Sequence, residues 1–245
     1  MKIDSSYIYH KKTYRNSITD VGFVNFQVRV FETDLLIRAN KDLSKEATDL
    51  VYSYRRHLEN YIHDHPYFLT SFAPIKFDQL APPIVRDMQS ASILANVGPM
   101  ASVAGAIAEY VGKDLLMYSD NIIVENGGDI FISTQQDLQV GVFAGRSSFS
   151  QKIKLKILSQ KMPLGVCTSS GTVGHSFSMG RADAVCVLSS STIKADAVAT
   201  AVGNIVKSPA DLKKALNIGY EINGVKGIVI IIGDKLGAIG DITFI

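Results

Sequence analysis

Hydrophobic and polar residues alternate along the first part of the chain and then switch to a helical spacing. The alternation covers residues 7–15, 23–31 and 34–39, and it predicts the strands of an antiparallel meander. From Asp42 to about His63 the pattern predicts an amphipathic helix with Asp42 as its N-cap. The apolar positions at helical spacing are Ala47, Leu50, Val51, Tyr54, Leu58, Tyr61 and Ile62.

Blocks of helical and strand pattern follow one another through the rest of the chain. Two helical segments, about 84–95 and 99–113, are divided at a Gly-Pro pair, because proline breaks a helix. Helical patterns return at 192–206 and, briefly, from Pro209. Strands are predicted near residues 120–125, 129–134, 138–144, 152–158, 163–168, 182–188, 225–232 and 241–245. This order predicts an α+β fold with antiparallel sheets backed by helices.

Composition narrows the class of protein. The chain has 245 residues, of which 47% are hydrophobic, so it is not intrinsically disordered. Its 25 basic and 23 acidic side chains leave a formal charge of +2, and we expect no nucleic-acid partner. The longest strictly aliphatic run, 228–232, is far shorter than the roughly twenty residues that span a bilayer, and the chain opens without a signal-peptide pattern. We therefore expect a cytoplasmic protein with no membrane partner.

Glycine and tyrosine are distributed unevenly. Of 19 glycines only Gly22 precedes position 98, whereas seven of the ten tyrosines lie within the first 67 residues. We expect a single domain over residues 1–245. Its scaffold half would cover about 1–83, and its site-bearing half about 84–245, where glycines let the backbone approach a ligand closely.

The first candidate site is the segment Asn126-Gly127-Gly128-Asp129 between two apolar runs. Asn and Gly tolerate the positive φ of a tight hairpin turn, so a plain turn is one interpretation. The other is a ligand-binding turn, in which glycine backbone amides face a phosphate or a flavin carbonyl. The residues alone leave both interpretations open.

The second candidate is the polar segment 168–181, which lies between two apolar strand patterns. Polar connections of this length are more typical of binding loops than of spacers. The segment does not match a nucleophile-elbow motif, but Ser170 or Ser176 with His175 stays open as a catalytic pair. The alternative is a crossover rich in Ser/Thr turns with His175 facing solvent.

The third candidate is the predicted helix 192–206. Asp196 and Thr200 are four residues apart and therefore share one helical face. Magnesium prefers carboxylate and hydroxyl oxygens, so the two side chains are a candidate half-site for that ion. The structural alternative is that Asp196 complements the helix N-terminus while Thr200 bonds to the preceding turn.

The remaining candidate metal ligands are histidines and cysteines, and a structural role explains them better than metal binding. His63-Asp64-His65 falls where a helix is predicted to end, a place that favours histidine electrostatically. Cys167 and Cys186 are too few for a disulfide scaffold or a four-cysteine zinc site, and a cysteine on a strand is usually a small buried hydrophobe.

The three candidate segments resemble, in order, the motifs of the ApbE family, whose characterised members are flavin transferases that move FMN from FAD onto a protein Ser or Thr. VENGGDIFI resembles the family's Asn-x-Gly-Gly-Asp turn, GVCTSSGT its Thr-Ser-Gly segment, and KADAVATA its Ala-Asp-Ala-x-x-Thr helix. VAGAIAEYVG is similar to its Gly-Ala-x-Ala-Lys-Gly helix. GTVGHSFSMGRADAV resembles the corresponding segment of a shorter, poorly characterised branch of the family, found in bacteria and archaea, more than that of the transferases themselves.

The resemblance implies a role for each matching residue. Asp196, Thr200 and the carbonyl of Ala106 would hold magnesium. The turn and loop beside the flavin nucleotide would be formed by Asn126, Gly127, Gly128, Asp129, Ser170 and Gly171. The implied partners are FAD or FMN as small molecule and a protein acceptor, and self-association is left open.

Two departures from the family pattern bear on the function. The family's lysine after Ala-x-Ala is Glu109 here, and its His-x-Ile-Asp-Pro-x-x-Gly segment is missing, with His175 its only stand-in. Our leading hypothesis is a magnesium-assisted flavin-binding protein that transfers FMN from FAD to a hydroxyl. One alternative is a non-catalytic accessory protein, in line with an association of the archaeal branch with sulfide assimilation into homocysteine, for which Cys167 offers a handle. Another is a hydrolase of FAD or a related dinucleotide.

Overall fold

The computed structural model describes residues 22–150, 152–172 and 180–245. The strand predicted over 7–15 and the candidate His175 lie outside these residues. The strands are β1 (Val24–Val30), β2 (Thr33–Ala39), β3 (Ile122–Asn126), β4 (Asp129–Ser133), β5 (Leu138–Gly141), β6 (Lys154–Ile157), β7 (Leu164–Ser169), β8 (Ala184–Ser189), β9 (Val225–Ile232) and β10 (Lys235–Gly240). The α-helices are α1 (Ser44–Asp64), α2 (Tyr67–Thr70), α3 (Pro83–Ala95), α4 (Val103–Leu115), α5 (Thr192–Ile205) and α6 (Leu212–Tyr220).

A large antiparallel sheet organises the described chain. Its eight strands follow the order β1-β2-β3-β4-β7-β8-β9-β10, and β5 pairs with β6 in a separate two-stranded sheet. Helices α1, α4, α5 and α6 pack on one face of the large sheet, where the larger hydrophobic cluster lies. The β5–β6 pair contributes to a second cluster on the opposite face. The predicted α+β fold, with antiparallel sheets backed by helices, is confirmed.

The two layers explain the sequence patterns of the strands. All six residues of β8 are buried, because helices cover one face and the small sheet the other, and the strand is accordingly almost entirely apolar. At the edge, β1 alternates between buried and exposed positions, and its buried residues Phe26, Val28 and Val30 face the helices. A continuous apolar run therefore marks an inner strand here and an alternating run marks the edge.

The prediction of a strand at 241–245 is wrong. The last strand is β10, which pairs with β9 from Lys235↔Ile232 to Gly240↔Gly227, and beyond it Phe244 forms only an isolated bridge with Leu155. The sequence of β10, KLGAIG, lacks the β-branched pattern of a strand and carries two glycines, of which Gly237 packs beside Leu216 of α6.

The helices begin and end close to the predicted positions. The first begins at Ser44, so Asp42 is not its N-cap; Asp42 Oδ1 accepts a hydrogen bond from the Ser44 amide (2.8 Å) just before the helix. The helix predicted from residue 99 is a 3₁₀ turn, Pro99–Ser102, followed by α4. Within the described residues no single helix is long and apolar enough to cross a membrane, and only the pair Pro83–Ala95 and Pro99–Leu115, bent by 104°, has the required length and composition together.

Helices α4 and α5 approach each other closely at Gly105. A Cβ at this position would lie 2.6 Å from the Thr192 carbonyl oxygen and 2.8 Å from Asp196 Cβ. Backbone atoms cannot yield as a flexible side chain can, so glycine is needed for this separation of the helices. The same contact brings the beginning of α4 against the part of α5 that carries Asp196.

We predict that Gly105→Ala destabilises the protein despite alanine's better helix propensity. The methyl group would overpack the α4–α5 contact and lower the free energy of unfolding by about 1–3 kcal/mol. Chemical denaturation followed by circular dichroism measures this change. Gly233→Ala is the control, because the space around that glycine is open and only its positive φ opposes a side chain. A variant at Gly105 as stable as the wild type would contradict the prediction.

Candidate acidic site between the sheet and helix α5

The Asn-Gly-Gly-Asp segment forms the tight turn between β3 and β4. Gly127 and Gly128 have φ angles of +67° and +115°, which side chains on Cβ disfavour. The Gly128 amide donates to Glu125 Oε1 (3.2 Å). Asn126 Nδ2 donates to the Ala104 carbonyl (3.1 Å), and this bond ties the turn to the first turn of α4.

Asp129 follows the turn and is the cross-strand neighbour of Cys167 on β7. Asp129 as a residue is half-buried, and the surrounding protein desolvates its carboxyl group and raises the pKa to about 7. The adjacent thiol of Cys167 lowers this pKa, whereas the nearby charge of Glu125 raises it. Asp129 therefore changes its charge near neutral pH.

Cys167 is completely buried beside Asp129. Its Sγ lies 3.3 Å from the Thr192 carbonyl oxygen, to which it donates a hydrogen bond. Burial raises the pKa of the thiol well above its ordinary value, and the charges of Asp129 and Asp196 raise it further. The environment thus holds the thiol protonated and gives no support to thiolate chemistry in a sulfur-handling role.

Asp196 extends from α5 toward the beginning of α4. Its Oδ2 accepts a hydrogen bond from the Gly105 amide (2.9 Å), one of the amides that the first turn of α4 leaves unpaired. Burial raises the pKa of Asp196 well above its usual range, and repulsion from Asp129 raises it further, against the effect of the Gly105 amide. We call Asp129 and Asp196 the acidic pair.

The other predicted metal-site residues lie next to Asp196 or next to its partner Gly105. Thr200 is half-buried on α5, one turn beyond Asp196, and Ala106 is buried on α4 next to Gly105. The set of side-chain and backbone oxygens is of the hard type that magnesium prefers, and the acidic pair carries negative charge that a cation would offset. These residues therefore fit a magnesium ion chemically, although no three His, Cys, Asp or Glu side chains in the described parts of the chain form a metal cluster.

The Ser170 loop leaves the same end of the sheet as the glycine turn. Gly128 packs near the Thr168 carbonyl, since a Cβ there would lie 3.7 Å from that oxygen. Ser170 Oγ accepts from the Thr172 amide (3.1 Å), and the Gly171 amide donates to the Ala182 carbonyl (2.9 Å). The loop therefore begins with a Ser/Thr turn anchored to the chain that returns from it.

Glu109 stands where the ApbE pattern has a lysine, but its carboxylate is bound at the N-terminus of α5 and not at the acidic pair. Its Oε2 accepts hydrogen bonds from Ser191 Oγ (2.9 Å) and from the Ile193 amide (3.0 Å), at the N-terminus of α5. Its Oε1 forms an ion pair with Lys113 Nζ (2.6 Å). The carboxylate thus satisfies the helix N-terminus electrostatically, a role that spacing within α4 did not indicate.

The His63-Asp64-His65 segment marks the end of α1. The helix ends at Asp64, and the His65 ring stacks on Tyr61 at 4.2 Å between centroids. These contacts agree with the structural interpretation of the segment.

Comparison with known proteins shows the family to which this chain belongs. A model of the family described as "AbpE bacteria" matches residues 15–236. The chain belongs to this family. A UPF0280 protein of Methanocaldococcus jannaschii is 42% identical over 222 residues, covering 88% of this chain and 90% of the relative. A UPF0280 protein of Methanococcus aeolicus is 41% identical over 225 residues, covering 89% and 91%. The expected ApbE-like branch shared with archaea is thereby confirmed.

Solved structures of ApbE proteins share the fold of this AbpE family member. The apo flavinyl transferase ApbE of Pseudomonas stutzeri superposes with a TM-score of 0.56 at 15% identity, covering 89% of this chain and 93% of that one. The flavin transferase ApbE of Vibrio cholerae gives 0.57 at 12% identity, covering 89% and 96%. At such identities the likeness concerns the fold alone.

We predict that Asp129 makes stability fall as the pH rises. Its folded-state pKa of about 7 lies above the ordinary value of 3.8. The folded state then holds more protons than the unfolded state between these values, so the stabilisation is present at low pH and is lost as the pH rises toward 7. Denaturant titrations from pH 4.5 to 8 measure the loss, which Asp129→Asn should reduce. The same pH dependence in the variant would contradict this assignment.

We predict that the charge of Glu109 stabilises α5. Glu109→Gln should lower the free energy of unfolding by about 1 kcal/mol, and Glu109→Lys by more, because a cation at a helix N-terminus is unfavourable. Denaturant unfolding measures both. Glu59→Gln is the control, since its ion pair with Arg55 on α1 is half exposed and worth little. Equal stability of the Gln and Lys variants would rule out the helix-terminus role.

Proposed function

We propose that this AbpE family member binds a flavin nucleotide with magnesium at the acidic pair and transfers FMN from FAD to a hydroxyl group. The observation that carries the proposal is the convergence of two acids beside a glycine turn: Asp129 is the cross-strand neighbour of Cys167, whose thiol binds the beginning of α5, and one turn further along α5 Asp196 binds the Gly105 amide. Two close carboxylates both stay ionised only if a cation offsets their charge; otherwise one of them holds a proton. The two solved ApbE proteins are flavin transferases, which supports the choice of ligand.

Each residue has a distinct task in the proposed site. Asp196, Thr200 and the Ala106 carbonyl would hold the magnesium ion, and Gly105 would keep Asp196 oriented through its amide. The turn at Gly127 would let the ligand approach the backbone without a side chain in the way, because the space around that glycine is open. When bound, magnesium supplies charge neutralisation for a diphosphate.

In the proposed reaction the acceptor oxygen forms a bond to the FMN phosphorus. The bond from that phosphorus to the bridging oxygen breaks, AMP leaves, and the hydroxyl proton passes to a base. The sequence-based candidates for this proton transfer, His175 and Ser170, stay predictions. Turnover to water instead of a hydroxyl would make the protein a hydrolase, and binding without turnover would make it an accessory protein.

We predict that Asp196→Asn removes magnesium-dependent turnover of FAD. Purified protein is incubated with FAD and MgCl₂, and chromatography measures AMP, free FMN and flavin retained on protein. The rate of AMP release should fall by about a hundredfold or more, because the variant loses a charge that would stabilise the ion. Asp137→Asn is the matched control, since this exposed carboxylate pairs with Lys156 on the small sheet.

Thermal unfolding provides a readout that does not depend on turnover. Magnesium and FAD together should raise the melting temperature of the wild type and of the Asp137 variant, and much less that of the Asp196 variant, because a ligand that binds only the folded state stabilises it. If neither AMP release nor thermal stabilisation appears in the wild type, the proposed flavin function is wrong.

A further inference from the structure

An exposed apolar surface lies on α2 and the segment that follows it. Four large side chains there are exposed: Tyr67 (79%), Leu69 (51%), Phe77 (39%) and Leu80 (96%). Tyr67 and Phe77 also line a cavity of about 550 Å³ between the end of α1, α2 and residues 75–79. Apolar exposure of this kind is typical of an interaction site. We call these four side chains and the cavity the α2 surface.

We propose that the α2 surface joins two copies of this chain in a two-fold dimer, in which Leu80 of each copy enters the cavity of the other. A two-fold interface requires one surface to be complementary to itself. The α2 surface meets this requirement, because the projecting side chain and the cavity that would receive it belong to the same short segment. The cavity has ample room for the four-carbon side chain of leucine, and Phe68 and Ile75 give it an apolar lining.

Asp78 holds Leu80 in its projecting position. Asp78 Oδ1 accepts a hydrogen bond from the Leu80 amide (2.9 Å), and Asp78 Oδ2 accepts one from the hydroxyl group of Tyr61, in the cavity wall (3.2 Å). The Asp78 amide is in turn bound to Gln89 Oε1 (3.0 Å). The backbone that carries Leu80 is therefore held in place before association, which reduces the entropy lost on binding.

The area and the charges of the surface suit a second copy. The four exposed side chains offer on the order of 500 Å² if each has roughly 200 Å² of surface. A standard interface buries about 800 Å² on each partner, a little over half of it apolar, so the α2 surface supplies about that share. Exposed Lys76 and Asp64 flank the cavity, and a two-fold axis can bring each lysine toward the acid of the other copy.

The oligomeric state of the full chain tests this proposal. Sedimentation equilibrium across a wide concentration range should show a dimer for the wild type and a monomer for Leu80→Lys. Leu80→Ala should weaken the dimer by about a hundredfold, because two buried leucines are lost for each dimer. Met117→Lys is the matched control, since Met117 is 75% exposed at the far end of α4 and should leave the dimer intact.

Charge reversal tests the pairing between copies. Lys76→Glu should weaken the dimer, and adding Asp64→Lys should restore it, because the two charges then meet with exchanged signs. Circular dichroism confirms that each variant is folded. A wild-type chain that stays monomeric overturns the proposal. The cavity would then be filled by a small apolar ligand or by another part of the chain. A Leu80→Lys variant that dimerises like the wild type overturns it too.

Discussion

The candidate site depends on the close contact between helices α4 and α5. Gly105 removes the side chain that would hold them apart, and each helix then accepts a carboxylate from the other at its N-terminal end. Asp196 of α5 binds the Gly105 amide, and Glu109 of α4 binds Ser191 and the Ile193 amide. Helix N-termini carry partial positive charge and unpaired amides, so this exchange satisfies both helices while fixing Asp196 against the sheet.

The same contact leaves the site electrostatically unbalanced. The Gly105 amide offsets part of the cost of burying Asp196, but Asp129, held by the β3–β4 turn beside Cys167, brings a second negative charge into its range. A carboxylate pair of this kind lowers the stability of the folded protein at neutral pH, because one member must hold a proton or repel the other. Such a local cost is typical of a functional site rather than of a structural core.

The sequence predicts the elements better than the contacts between them. Periodicity locates the long helices and inner strands, and the four-residue spacing places Asp196 and Thr200 on one face of α5. The pairing of Asp129 with Cys167 depends on the register of β4 and β7, and the capping role of Glu109 depends on how two helices cross, so neither follows from local spacing. The strand β10 is missed because its sequence, KLGAIG, has two glycines in place of the branched residues that a strand pattern would show.

The contacts of Glu109 alter what its departure from the ApbE pattern implies for ligand binding. In the sequence, an acid at the lysine position of the ApbE pattern weakens the expectation of an anionic ligand. In the structure the side chain points to the N-terminus of α5 and pairs with Lys113, so a cation is still present one helical turn away. The acid therefore bears on how firmly α5 is held, and through α5 on where Asp196 lies, more than on repulsion of a ligand. Binding of a diphosphate depends instead on the acidic pair, where a proton or a cation must offset one of the two charges.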